Sequence, residues 1–180
     1  LSTEGHNFKT VVLDTTDFAE RLCQEQVKES HNIKTIEALG YGKGFTESYE
    51  LFARILRNLE ALSVAKKMNI ILLSHVQIRT FSDPEHEPYD RYELNTHKKI
   101  SSLIRSWVDF NFFANHLFTT IKSGQGFNEK ARGKTFSAAF DAKSRLQLPE
   151  RIDFNWPAFT DACKATVIPN ETINKGGQNV

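Results

Sequence analysis

Two short apolar runs, each closed by a polar residue, constrain this chain more than any other feature. Val11-Val12-Leu13 ends at Asp14, and Ile70-Ile71-Leu72-Leu73 ends at Ser74-His75. Runs that are continuous rather than alternating, and rich in β-branched residues, belong to strands buried in parallel sheets. Between them Tyr49, Phe52, Leu56, Leu59 and Leu62 recur every three or four residues, a single core-facing stripe. That stripe predicts a long helix beginning near Thr46 and ending at Asn69. Strand, helical crossover and strand together predict an α/β fold.

The remaining pattern fits the same class. Thr16 or Asp17 is placed to cap a helix after the first strand, with Phe18, Leu22 and Cys23 on its inner face. Gly40, Gly42 and Gly44 punctuate a turn. Pro84 and Pro88 mark residues 82–88 as loop. A helix is expected over 94–106, with Ile100, Leu103 and Ile104 inward. Residues 108–113 read as a third strand, expected parallel to the first two in one sheet. Residues 116–122 and 135–143 read as a hairpin around the Gly- and charge-rich stretch 124–133. Pro157 suits the first residue of a short last helix. Residues 1–168 are expected to form one domain, and 169–180, rich in Asn and Gly, a flexible tail.

Composition narrows the function classes. The 180 residues are 39% hydrophobic and 25% charged, ordinary globular values. Lys plus Arg number 23 against 22 Asp plus Glu, so any surface for nucleic acid has to be local. Cys23 and Cys163 lie far apart without metal-ligand spacing, which points to two reduced thiols and a cytoplasmic protein. No apolar run approaches the ~20 residues a membrane span needs.

In open parallel sheets chemistry collects at the C-terminal strand ends, which directs attention to Asp14 and to Ser74-His75. A carboxylate closing a hydrophobic strand is the Walker B pattern, in which the acid orders a magnesium ion. A polar residue ending the neighbouring strand is placed to reach a nucleotide's terminal phosphate. By itself an acid here is more often a helix cap, and a histidine here is more often a core hydrogen-bonding group.

An ordered series of motifs sharpens this. Asp14-Thr15-Thr16-Asp17, Tyr41-Gly42-Lys43-Gly44 and Leu72-Leu73-Ser74-His75 come first. Asp83-Pro84, Tyr89-Asp90-Arg91-Tyr92-Glu93-Leu94, Trp107-Val108-Asp109, Asp141-Ala142-Lys143-Ser144-Arg145 and Leu148-Pro149-Glu150 follow. Together, over about residues 8–160, they resemble the phage-type nucleotide-binding family of AAA/RecA-like P-loop ATPases. The resemblance implies a RecA-like core with a mostly parallel sheet and a C-terminal β-hairpin. It implies ATP and Mg2+ as cofactors, Asp14 as the Walker B acid at the metal, Thr15 and Ser74 beside the nucleotide, and His75 as phosphate sensor. Lys143 and Arg145 resemble the Lys-x-Arg pair that hexameric helicases of the DnaB type send to a neighbouring subunit's ATP. It further implies a homo-oligomeric ring or filament, possible single-stranded DNA as partner, a role in recombination, single-strand annealing or replication, and the bacterial host cytoplasm.

The chain departs from the family in one respect: Gly-x-x-x-x-Gly-Lys-Ser/Thr does not occur. Arg132-Gly133-Lys134-Thr135 supplies only its last letters, with Asn128 where the first Gly belongs. Gly40-x-Gly42-x-Gly44 precedes a helix but follows no strand. The expectation is therefore the C-terminal part of a longer protein, with the P-loop strand and a catalytic Glu upstream and negligible hydrolysis by residues 1–180 alone. In the family the P-loop strand lies between the strands at 70–73 and 108–113.

Three other features carry competing readings. Residues 79–93 sit where RecA-like proteins carry a DNA-binding loop, but five acids against Arg79 and Arg91 favour a solvated lid. Lys130, Arg132 and Lys134 near Phe127 and Phe136 form a basic patch, either a single-strand contact or a solvated turn. Asp109 and Asp141-x-Lys143 match the acid, acid-x-Lys arrangement of magnesium-dependent nucleases, the alternative enzymatic reading. A non-catalytic assembly module is the third.

Overall fold

A computed structural model describes residues 1, 3, 5–122, 129–142, 151–153 and 155–165, which divide into two compact units, Leu1–Trp107 and Val108–Val180. In the first unit, strand β1 (Thr10–Leu13) pairs in parallel with β2 (Asn69–Leu72), in the register Thr10 to Asn69 through Leu13 to Leu72. The crossover holds helix α1 (Thr16–Ser30), a 3-10 turn at Ile36–Leu39 and helix α2 (Lys43–Lys66). Parallel strands need such a crossover, because a tight turn cannot return the chain in the same direction. The expectation of two parallel strands joined by helix is met, but that of burial on both faces is not. Val12 and Ile71 are exposed, because among the described residues the sheet has only these two strands.

The core lies where α1 and α2 pack together. Val27, Phe52 and Leu56 are almost wholly buried, with Cys23, Ile36, Ala53 and Met68 around them. Each large side chain contributes about 1.5–3 kcal/mol through burial. Phe52 and Leu56 come from the predicted stripe, but α2 begins at Lys43, three residues before Thr46. Gly42 makes that early start possible: at φ 71° it occupies the left-handed region that a side chain disfavours.

Helix α1 corrects two expectations. Its N-cap is Thr15, whose Oγ1 accepts the Phe18 amide at 3.4 Å, rather than Thr16 or Asp17. Its inner face is Thr16, Ala19, Glu20, Cys23 and Val27, while Phe18 and Leu22 are exposed. Spacing alone does not fix the rotation of a short amphipathic helix when large apolar residues stand on both sides.

Residues 82–88 are not a loop. Strands β3 (Val76–Asp83) and β4 (His86–Leu94) form an antiparallel ribbon whose turn is Pro84-Glu85. The register shifts between Phe81 and Asp83, and Pro88 falls at that irregularity, where a residue without an N–H costs the ladder nothing. Because Leu94 still pairs with Val76, helix α3 (Lys98–Trp107) starts four residues after the expected position. Ile100 and Ile104 are buried as expected.

In the second unit the third expected parallel strand is also corrected. Strand β5 (Phe110–Lys122) runs through both stretches read as separate strands and pairs antiparallel with β6 (Glu129–Ala142), which pairs with β7 (Arg151–Asp153). Once 110–122 continues as one strand, its partner is set by the hairpin, not by a crossover. The hairpin reading therefore holds, over a longer span. Phe110 and Phe112 meet Phe159 of helix α4 (Trp156–Ala165) edge-on, at 5.5 and 5.3 Å. Asn155 caps α4 through the Ala158 amide at 2.8 Å, and Pro157 lies in its first turn. The fold is thus mixed α/β, with one parallel pair and two antiparallel sheets among the described residues. No helix of the described residues is long and apolar enough to cross a membrane.

Candidate functional site at the edge of the parallel pair

The C-terminal ends of β1 and β2 are sewn together by backbone. Leu73 donates to the Leu13 carbonyl at 2.9 Å, and Thr16 donates to the Leu73 carbonyl at 2.8 Å. The pairing brings Asp14-Thr15, leaving β1, alongside Ser74-His75, leaving β2. Asp14 is exposed, and the Asp14–Thr15 peptide is cis. Four sequence-predicted residues, Asp14, Thr15, Ser74 and His75, are therefore brought to one edge.

A two-point contact here joins His75 to a residue without a predicted role at the site. The Asp17 carboxylate accepts the His75 backbone N–H at 3.3 Å on one oxygen and lies 3.0 Å from His75 Nδ1 on the other. Asp17 is 13% exposed, while the His75 ring is 70% exposed. Burial raises the Asp17 pKa, but hydrogen bonds from the Thr15 hydroxyl, the His75 ring, the His75 amide and its own amide outweigh it. The net result is a carboxyl lowered to about 2.

Beside this pair opens a polar cleft of about 290 Å³, lined by Asp17, Glu20, Arg21, Phe45, Arg79 and Thr96 among others. Glu20, almost fully buried, accepts the His97 amide at 2.8 Å and Gln24 Nε2 at 3.0 Å, which ties α1 to the start of α3. Arg79 donates to the Thr96 carbonyl at 3.1 Å, and Gln77 to the Leu94 carbonyl at 2.8 Å. Arg79 and Arg91 both pair with Glu93, so the ribbon's two arginines are partly neutralised by one of its own acids. Phe45 stacks on His97 with centroids 4.9 Å apart. Asp17, Glu20, Arg21 and Gln24 are spaced i, i+3, i+4, i+7. That single polar helix face was the sequence signal for this cleft.

Magnesium takes one or two carboxylates and completes its shell with water and phosphate oxygens. Asp14, an exposed oxygen donor at a strand end, fits that role for a metal held jointly with a nucleotide. Among the described residues no three His, Cys, Asp or Glu side chains cluster to hold a metal by themselves. The start of α1 is no phosphate cradle, because the Thr16 and Phe18 amides are already committed.

Lys143 and Arg145 lie outside the described residues, as do 124–128 and the tail 169–180. Arg132-Gly133-Lys134-Thr135 runs inside β6, as strand backbone and not as a strand-to-helix turn. Asp109 is exposed just before β5, and Asp141 of β6 pairs with Asn111, two positions along from Asp109.

A family model described as an AAA domain matches residues 1–146. Comparison with curated proteins and with solved structures gave no match.

Proposed function

Because the chain belongs to the AAA domain family, we propose that it forms part of a RecA-like, phage-type ATPase whose nucleotide sits at the edge bearing Asp14 and His75. The observation that supports this most is the parallel pairing of β1 and β2, which puts the exposed acid and the exposed imidazole at neighbouring strand ends. Bound magnesium would neutralise charge on the β- and γ-phosphate oxygens. Asp14 would hold that ion through its water shell, Thr15 and Ser74 would flank the nucleotide, and His75 would contact the terminal phosphate. The described edge itself offers no backbone cradle for the phosphates, since the Thr16 and Phe18 amides are already bonded.

Lys143 and Arg145 complete the proposal as fingers acting on a neighbouring subunit's ATP in a homo-oligomeric ring or filament. A guanidinium suits this role because it matches phosphate oxygens in a fork. Work on single-stranded DNA in recombination, annealing or replication, in the cytoplasm of a bacterial host, is the process we assign. The register of β5 and β6 favours a second reading, a magnesium-dependent nuclease using Asp109, Asp141 and Lys143. One experiment separates them. The protein at the full length its gene encodes is assayed with MgATP and with labelled single-stranded DNA, as Asp14→Ala and as Asp109→Ala. Loss of ATP turnover in the first and not the second supports the ATPase; DNA cleavage lost only in Asp109→Ala supports the nuclease.

A further inference from the structure

We propose that Asp17 is the positioning residue for His75, fixing its ring as the Nδ1–H tautomer so that Nε2 faces the ligand. This rests on the reading of His75 as the residue that meets the terminal phosphate. The geometry is two-point: one carboxylate oxygen takes the His75 amide at 3.3 Å and the other faces Nδ1 at 3.0 Å, so both the backbone and the ring of His75 are held from the same group. The holder is itself held. Asp17 sits in the first turn of α1, whose Thr16 amide is bound to Leu73, two residues before His75. The backbone that carries the carboxylate is therefore fixed to the strand end it serves.

The chemistry follows from donor and acceptor count. A carboxylate only accepts, so the nitrogen facing it must carry the proton. A carboxyl lowered to about 2 is ionised at neutral pH, which keeps it an acceptor throughout the working range. With Nδ1 committed, the ring's other nitrogen is the one offered outward, consistent with a ring 70% exposed beside a carboxylate 13% exposed. Phosphate oxygens also only accept, so Nε2 has to be protonated when it meets one. Asp17 then holds the ring from behind through Nδ1–H, an arrangement that recurs where a carboxylate orients a working imidazole.

The test has a spectroscopic arm and a kinetic arm. With histidine ring nitrogens labelled, the neutral His75 ring of the wild-type protein should give the Nδ1–H pattern. Asp17→Ala should shift it toward the Nε2–H form that dominates in free neutral histidine. An Nε2–H ring in the wild type overturns the proposal without any variant, as does an unchanged pattern in Asp17→Ala. In the kinetic arm, MgATP turnover by the protein at its full encoded length is compared among variants. If His75→Ala turns over ATP normally, the reading of the site has failed, and the tautomer result stands or falls separately. If His75→Ala is impaired, Asp17→Asn should lower kcat by about 10- to 100-fold with a smaller change in KM. The double variant Asp17→Ala/His75→Ala should then be no slower than His75→Ala alone. A further loss in the double variant would mean Asp17 acts by another route, and the positioning role would be wrong.

Discussion

Leu73 donates its amide to the carbonyl of Leu13 at 2.9 Å, one residue beyond the last paired position of β2. The parallel ladder thus extends to the doorstep of the proposed site, and Thr16 continues it by donating to Leu73. Amides bonded in this way exchange with solvent only when the strand ends open. The Leu73 and Thr16 amides should therefore exchange slowly, in the same class as the amides of β2. Fast exchange at both, measured by hydrogen–deuterium NMR, would mean that the two strand ends are not joined.

Gly44 should be among the least replaceable positions of the first unit. It lies buried in the first turn of α2, and a Cβ there would overlap the Ile36 carbonyl oxygen and come within 2.8 Å of Ile36 Cγ1. Replacing Gly by Ala inside a helix ordinarily gains about 1 kcal/mol, but overpacking of this kind costs about 1–3 kcal/mol. The clash involves backbone that the 3-10 turn holds in place, so the cost should win. Gly44→Ala should lower the denaturation midpoint, with a net loss of about 1 kcal/mol. A variant as stable as wild type would place Ile36 farther from α2 than the structure does.

Which parts of this were legible in the sequence follows from how local each signal is. The two strands and the α2 stripe were readable because 11–13 and 70–73 are unbroken apolar runs and 49–62 carries a helical period, each signal lying within a few residues. The ribbon was missed because Pro84 and Pro88 are loop signals unless they fall at a turn and a bulge, and that depends on Phe81 pairing with Tyr89 across the ribbon. The third parallel strand was misplaced because an apolar run does not say which partner it will take. At the site, Asp14, Thr15, Ser74 and His75 came from motif order. Asp17 and Glu20 did not, since their meaning lies in partners at His75 and His97, 58 and 77 residues away.

The lowered Asp17 pKa makes a signed prediction about acid stability. Its carboxyl titrates at 3.8 when free of the fold and at about 2 within it. Between those values the unfolded chain binds more protons, so stability rises with pH across that window. The contribution, about 2 kcal/mol, is complete above the unfolded value and is lost as pH falls toward the folded one. In Asp17→Asn this share of the acid limb should vanish, leaving a flatter stability profile between pH 4 and pH 2 than wild type. Parallel profiles from denaturant titrations at each pH would show that the Asp17 hydrogen bonds do not persist in solution.

The trans-finger assignment makes the most demanding prediction, because it requires two different defective proteins to repair each other. Residues 143 and 145 stand two apart, the spacing at which two residues of a strand share a face. On the proposed reading Arg145 acts on the ATP of a neighbouring subunit, while Asp14 acts on the ATP of its own. In the protein at its full encoded length, Arg145→Ala should then bind MgATP normally and lose turnover by roughly 10³- to 10⁵-fold, the range for removing such a finger. Asp14→Ala should be equally slow for the other reason. When the two are mixed and allowed to exchange subunits, an interface whose nucleotide is held by an Arg145→Ala subunit and touched by an Asp14→Ala subunit keeps both groups. Turnover should reappear in the mixture and rise with the proportion of such interfaces. If Arg145→Ala hydrolyses ATP at a near-normal rate, or if no mixing ratio recovers activity although subunits exchange, Arg145 is not a finger acting between subunits.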